Sequence, residues 1–550
     1  MKFVTALLPE LDDPAQDRLR EWLLSIGASA WMSLLTSHRE DRRNFGMLAG
    51  LAPASYRATA LAHATWDLHH GSGQPGFMQS YDGPTPTTTY VRSPSEPLER
   101  LVVEREFHGV RPDYNELSEE FRLYHDLARG SEEGELLQID DAGNASVAAR
   151  VGDVTVEVLT KLVRMFQAAK QMDLLLFIDS VVFYDPSLPR PKDQTWVTAE
   201  LNAALYAGDV FERPFTRFLA TRVIPPPPIE RAGVWPFEAE DKYFPEFIIG
   251  SDDLGDPVRF TCDPDRLSNY FGANAGAPHY LTPVHFRRDV LTKYYARPEL
   301  FSVEDAYLRC GALWGLRLDN DNPDKVIVFL GDLGRDLPAS ERDYWRSYNV
   351  APVGTISETA FRRGFLAQPT NATAVDLRIR YEYPALRRSW HQRFGWPLYR
   401  DPEPGDEHLL NIVRTPLHDT DSEFEDLVRT LAKLLIDSLD EPELVRSLPQ
   451  GPPDEKGISK FERWLRQAAY PTLDADIRFL RDLQTVRSKG AAHRKGSDYE
   501  TTLHRIFGDK SRAAAGTVLL EKTLALLRAL TVFAERPQDT EKQPADSADT

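Results

Sequence analysis

Residues 420–435 read TDSEFEDLVRTLAKLL. Thr420 with Glu423 three positions on is a capping-box signal, in which a hydroxyl and a carboxylate satisfy the first backbone N–H groups of a helix. Behind it Phe424, Leu427, Val428, Leu431, Leu434 and Leu435 recur at helical spacing and form one apolar stripe. Further helices follow downstream. One carries Ile458, Phe461, Trp464 and Leu465. Another opens at Thr472 with Asp474 and Asp476 in its first turn, where the helix dipole favours acid. A fourth spans 499–507. The last, 516–533, is apolar on most faces, as a helix central to a bundle must be. Residues 536–550 carry no apolar anchor and are expected to be disordered.

Upstream the pattern changes. Residues 1–95 read as a small α/β unit, with Leu19, Trp22 and Leu23 at helical spacing and a Gly, Pro, Ser and Thr-rich loop over 71–95. Residues 96–225 alternate. Strands are expected at 101–106, 135–139 and 174–183, and helices at 115–128 and 156–169, with a turn at 140–144. Four prolines at 225–228 can continue neither a helix nor a central strand, and they mark a boundary. Residues 229–415 form an α+β central domain. Its clearest signal is a hairpin of strands 313–318 and 326–330 joined by Asp319-Asn320-Asp321-Asn322-Pro323-Asp324 and closed by Gly331-Asp332-Leu333-Gly334. The expected fold class is α+β and multi-domain: a mixed α/β body, then an all-α C-terminal bundle over 416–535.

The formal net charge of -19 repels nucleic acid at long range, so any contact with RNA needs a local basic surface. Two cysteines, Cys262 and Cys310, match no metal spacing and suit a reducing cytoplasm. No apolar run is long enough to span a bilayer, and the N-terminal MKFVTALLPELDD reads as a first strand rather than a signal peptide.

A local basic surface does occur, around Arg487-Ser488-Lys489-Gly490-Ala491-Ala492-His493. Arg478, Arg481, Lys489, Arg494 and Lys495 oppose a single Asp482. An imidazole can exchange a proton with a ribose 2'-hydroxyl or a leaving oxygen near neutral pH. A guanidinium can hold the phosphate and its developing charge. Arg57 and His63 have the same spacing and are given no catalytic role. Six helical steps set two side chains about 240° apart, so Arg487 and His493 share a site only if the helix breaks, for instance at Gly490, or if a second subunit supplies one partner. The alternative is a basic inter-helix loop with a capping histidine.

A C-terminal helical domain with Arg-x(4–6)-His after a long helix resembles the HEPN superfamily, many of whose members are metal-independent RNases of toxin–antitoxin, abortive-infection and antiphage systems that work as dimers with paired motifs. The resemblance covers 416–535. It implies Arg487 and His493 as catalytic residues of an endoribonuclease, RNA as partner, a homodimer through the bundle, and no metal or cofactor. Lys489, Arg494, Lys495 and Arg481 would steer the RNA backbone. The family usually has Asn, Asp or His directly after the Arg, where this chain has Ser488. The α/β body resembles bacterial proteins to which no activity attaches. The reading is a bacterial-type defence or stress effector whose body regulates the bundle. The alternative is a non-catalytic assembly protein that dimerises through it.

Three further patterns have ordinary explanations. The stretches around Arg287, Arg288, Lys293, Tyr294, Tyr295 and Arg297, and around Arg378, Arg380, Tyr381, Tyr383, Arg387, Arg388, Trp390, His391 and Arg393, mix bases and aromatics as RNA readers do. They also suit core aromatics beside paired arginines. The 319–324 turn lacks the Gly and Glu of a calcium loop. His63, Asp67 and His70 have helical zinc spacing with nothing to complete a set. A third site in the body, around Arg287, Arg288 and Arg388, would need a deep pocket with perturbed titratable groups.

Overall fold

The computed structural model describes residues 18, 21–40, 43–62, 75–91, 97–187, 190, 192–211, 213–238, 243–322, 324–492 and 497–536. The chain forms two compact units, residues 1–140 with 144–240, and 141–143 with 241–550. The fold is mixed α/β, with a large antiparallel sheet in the first unit and helices filling the C-terminal region of the second. Among the described residues no helix is long and apolar enough to cross a membrane.

The first unit is built on an 11-stranded sheet. Asp173–Phe183 lies at its centre, hydrogen-bonded antiparallel to Arg43–Ala52 on one side and Arg213–Ile224 on the other. Leu174, Leu175, Leu176, Phe177 and Ile178 are fully buried, which is why this strand reads as an unbroken apolar run: both faces are covered. Trp31–Glu40 pairs with Thr155–Leu159, so one sheet unites residues from either side of the boundary expected after 95. The unit continues past the four prolines to residue 240.

Three expectations for this unit are corrected. Residues 156–169 are not one helix: Thr155–Leu159 is a strand, with Val156 and Val158 buried and Glu157 between them, and Thr160–Lys170 is the helix. Residues 115–128 divide in the same way. Tyr114–Leu117 is a strand, and the Ser118 hydroxyl accepts from Phe121 N to start a short helix, Glu119–Tyr124. The loop expected over 71–95 contains a hairpin, Gly76–Ser80 against Thr87–Val91. The strand expected at the N-terminus lies outside the described residues.

The second unit joins small sheets to the bundle. Pro283–Arg287 pairs with Lys325–Phe329 and with Asn349–Val350, while Phe301–Glu304, Tyr307–Cys310 and Trp314–Arg317 form a separate sheet. The expected 313–330 hairpin is therefore not formed: its two strands belong to different sheets, joined only by a bridge between Asp319 and Ile327. The acidic loop between them acts instead as a double helix cap. Asp319 accepts from Ser357 N (2.6 Å) and Ser357 Oγ (2.8 Å), ahead of the helix Glu358–Phe365. Asp321 accepts from Thr373 N (2.8 Å), Ala374 N (2.6 Å) and Thr359 Oγ1 (2.7 Å), ahead of the helix Val375–Phe394. Gly331–Gly334 continues into the helix Leu330–Asp336 rather than closing a strand.

The helix Val375–Phe394 begins the bundle ahead of residue 416. Its Ile379, Leu386 and Trp390 share one buried core with Leu431, Leu465, Leu483, Leu520 and Leu527. The helices Asp421–Ala432, Gly457–Gln467, Leu473–Ala492, Ser497–Phe507 and Arg512–Ala534 follow the sequence expectation, and a short helix, Glu441–Arg446, is added to them. Thr420 Oγ1 accepts from Glu423 N, but the Glu423 carboxylate turns to Leu417 N (2.6 Å), His418 N (3.1 Å) and His418 Nδ1 (2.7 Å). Tail residues 537–550 lie outside the described residues.

Arg288 and Asp376, 6% and 1% exposed, form an ion pair at 3.1 Å where the small sheets meet the bundle. Arg288 also donates to the Asn322 carbonyl, and Asp376 accepts from Thr415 N. Removing one partner strands a buried charge. Arg288→Ala or Asp376→Ala is expected to destabilise the second unit by about 3–5 kcal/mol in urea unfolding, while Arg288→Met with Asp376→Leu recovers most of the loss.

Burial pushes the His125 imidazole down to about 4, against a smaller opposing effect of its hydrogen bond to the Leu162 carbonyl. Burial, with Lys325 nearby, does the same to His285. The unfolded chain binds protons at these positions below about pH 6.5, whereas the folded chain does so only near 4. Their contribution is therefore complete above 6.5 and falls between 6.5 and 4. His125→Gln is expected to flatten that acid limb for the first unit, measured as the urea midpoint against pH.

Candidate functional site

The helix Leu473–Ala492 turns Ile477, Leu480, Leu483 and Val486 into the core. That spacing leaves Arg481, Ser488 and their neighbours on the outer flank. Arg487, 28% exposed, pairs through Nη1 with Asp437 Oδ1 at 2.8 Å. Asp437 ends a π-helical turn, Lys433–Asp437, that prolongs the helix Asp421–Ala432, and its carbonyl accepts from Arg400 Nη2 at 2.9 Å. A wider turn of this kind re-aims the side chains that follow it, and here it delivers a carboxylate to the arginine from a distant part of the chain.

Of the other expected RNA-steering cations, the two that are described, Arg481 and Lys489, are also paired. Arg481 reaches Glu462 at 2.5 Å. Lys489 reaches Asp498 at 2.8 Å and Thr502 Oγ1 at 3.0 Å. Ser488, at the position where the resembled family carries an amide, acid or imidazole, donates its hydroxyl to the Gln484 carbonyl at 2.8 Å. His493, Arg494 and Lys495 lie outside the described residues, so of the expected catalytic pair only Arg487 is placed.

The helix does not break at Gly490; it runs on through Ala492. A Cβ at Gly490 would stand 3.4 Å from the Tyr499 ring and 3.7 Å from Glu425, ordinary van der Waals distances, so the packing there does not require a glycine.

Several of the remaining candidates that are described resolve as structure. Arg57 grips Asp173 in a bidentate pair at 2.7 and 2.9 Å, while His63, Asp67 and His70 lie outside the described residues. Phe286, Tyr294 and Trp390 are fully buried core side chains. Lys293 pairs with Glu341 at 2.6 Å, Arg387 pairs with Asp401 at 2.5 Å, and Arg380 donates to the Val303 and Val413 carbonyls. Arg288 is committed to Asp376. Asp319 and Asp321 spend their oxygens on helix caps. Among the described residues no three His, Cys, Asp or Glu side chains group to hold a metal ion.

Asp437 is the site residue that sequence reasoning missed. It stands fifty positions from Arg487, inside an apolar helical stretch, KLLID, with nothing local to link the two. No protein-family model, no curated protein and no solved structure matches the chain.

Exposed pairs of this kind contribute little to stability. Arg487→Ala is expected to cost less than about 1 kcal/mol, whereas Leu483→Ala, fully buried one turn away, is expected to cost about 2–5 kcal/mol. Chemical denaturation of the two variants checks the contrast and shows whether position 487 is free for functional substitution.

Proposed function

We propose that the C-terminal bundle is a HEPN-like RNA-binding module that cuts RNA without a metal, in a bacterial-type defence or stress effector regulated by its α/β body. Arg487 is the phosphate clamp and His493 the general acid/base. Lys489, Arg494, Lys495 and Arg481 steer the RNA backbone. Cleavage by this chemistry removes the proton of a ribose 2'-hydroxyl, whose oxygen attacks the adjacent phosphorus. The P–O5' bond breaks, and the leaving oxygen takes a proton. A homodimer with paired motifs supplies a second imidazole, so that one acts as base and the other as acid. Both cysteines are buried, as suits a cytoplasmic setting.

The observation that carries this reading is the Arg487–Asp437 pair. It presents a part-exposed guanidinium, already holding an oxyanion, six residues before His493 in the sequence. A phosphate can take the place of that carboxylate. The assembly reading is favoured by the other side of the same fact: Arg481, Arg487 and Lys489 each have an acidic partner within the chain.

Fluorescein-labelled single-stranded RNA, with full-length protein at low salt, separates the two. Anisotropy should show salt-dependent binding that Arg487→Ala weakens about tenfold and Asp437→Asn tightens. Gel analysis should show cleavage that falls by about 10²–10⁴-fold in His493→Ala with binding kept. A wild-type protein and an Asp437→Asn variant that neither bind nor cut this RNA would leave the assembly reading standing alone.

A further inference from the structure

Gly76–Ser80 and Thr87–Val91 form a two-stranded hairpin in the first unit, and among the described residues each strand has no ladder partner but the other. Phe77 stands opposite Tyr90, with ring centroids 5.7 Å apart and edge to face. Ser80 Oγ donates to Asp82 at 2.5 Å and Tyr81 OH to Gln79 Oε1 at 2.7 Å, so these polar groups are tied within the hairpin itself. The apolar side chains are not covered. Phe77, Met78, Tyr81 and Tyr90 are 77%, 60%, 71% and 59% exposed. Phe77 and Met78 are neighbours on one strand and so face opposite sides. A hairpin bare on both faces is marginal in water, and three or more strands with an apolar face are needed for independent stability.

The hairpin is also almost free of charge. Residues 75–91, PGFMQSYDGPTPTTTYV, carry Asp82 alone, in a chain whose residues are 27% charged. The outer strand, TTTYV, has no Lys, no Pro and no register shift, the devices that stop an edge from pairing with another chain. This composition selects the occupant. In a twofold contact each residue meets its own equivalent, so a charged strand would set like charge against like. Two copies that each carry a formal charge of -19 repel one another, and an uncharged arm is where they can approach at least cost. Set antiparallel against itself about Thr89, the strand places Thr88 opposite Tyr90 and Thr89 opposite Thr89, pairings that favour a ladder.

We infer that this hairpin is an assembly arm whose partner is the same hairpin of a second copy of the chain, the two strands Thr87–Val91 pairing antiparallel across a twofold axis into one four-stranded sheet. The exposed parts of the four apolar side chains come to roughly 500 Å² per copy. Two copies bring about 1,000 Å² to the contact, the size at which a specific interface begins. The inference does not rest on the ribonuclease reading, which places its own dimer contact in the bundle.

Analytical ultracentrifugation of the full-length protein at micromolar concentration tests it. The wild type should associate reversibly. Thr88→Lys with Thr89→Lys, both at exposed positions, sets like charges across the seam and should halve the mass, with association weakened at least about tenfold. Halving is expected whether the wild type is a dimer through the arm alone or a tetramer through arm and bundle, so the arm is judged apart from the bundle. Circular dichroism and an unchanged urea midpoint show that the variant is folded. Both native cysteines are buried, so Thr88→Cys or Thr89→Cys adds one accessible thiol. Under mild oxidation at least one of these should cross-link two copies, while Ser131→Cys, exposed elsewhere on the same unit, should not. The inference fails if the wild type is monomeric, if the double lysine variant keeps the wild-type mass, or if neither cysteine cross-links faster than the control.

Discussion

The buried Arg288–Asp376 pair is the constraint on which the second unit turns. Each charge is taken out of water, a cost that only close pairing and further hydrogen bonds offset. Both conditions are met, by the Asn322 carbonyl on one side and the Thr415 amide on the other. Asp376 sits in the first turn of the helix Val375–Phe394, where the dipole favours acid, and Asp321 caps the same end from outside. One helix start therefore gathers the sheet strand before Arg288, the acidic loop after Arg317, and the segment entering the bundle. If Asp376 is misplaced, the helix that carries Ile379, Leu386 and Trp390 into the bundle core loses its anchor.

This dependence explains which parts of the fold were legible in the sequence. The bundle was, because long stripes such as Phe424 to Leu435 have an unmistakable period and one buried side. The central strand Asp173–Phe183 was too, because burial on both faces keeps 174–178 an unbroken apolar run. What failed were short junctions. In 156–169 a five-residue strand runs straight into a helix, and Val156, Val158, Leu162 and Val163 fit a helical stripe as well as they fit the real break. In 319–322 the Asp and Asn residues that favour a turn are the same types that cap helices. Their true partners, Ser357 and Ala374, stand tens of positions away, where no local reading reaches.

The candidate site was legible only in its chemistry. Arginine followed by histidine after a long basic helix is a local pattern, and the helix is present. The Asp437 carboxylate that holds Arg487 is a tertiary fact, set by the way one helix ends in a wider turn beside another. Gly490 shows the same limit from the other direction. A glycine in a helical pattern suggests a break, yet the helix runs through it to Ala492.

Charge pairing connects both functional readings and separates them. An acidic chain keeps many of its cations from acting as a bare basic patch by giving them a carboxylate, as at Arg481, Arg487 and Lys489. Exposed pairs like Arg487–Asp437 are held by about 1 kcal/mol or less, so a phosphate that makes two good charged hydrogen bonds can displace the internal acid at small cost. That describes a surface able to exchange one anion for another, with salt as a competitor.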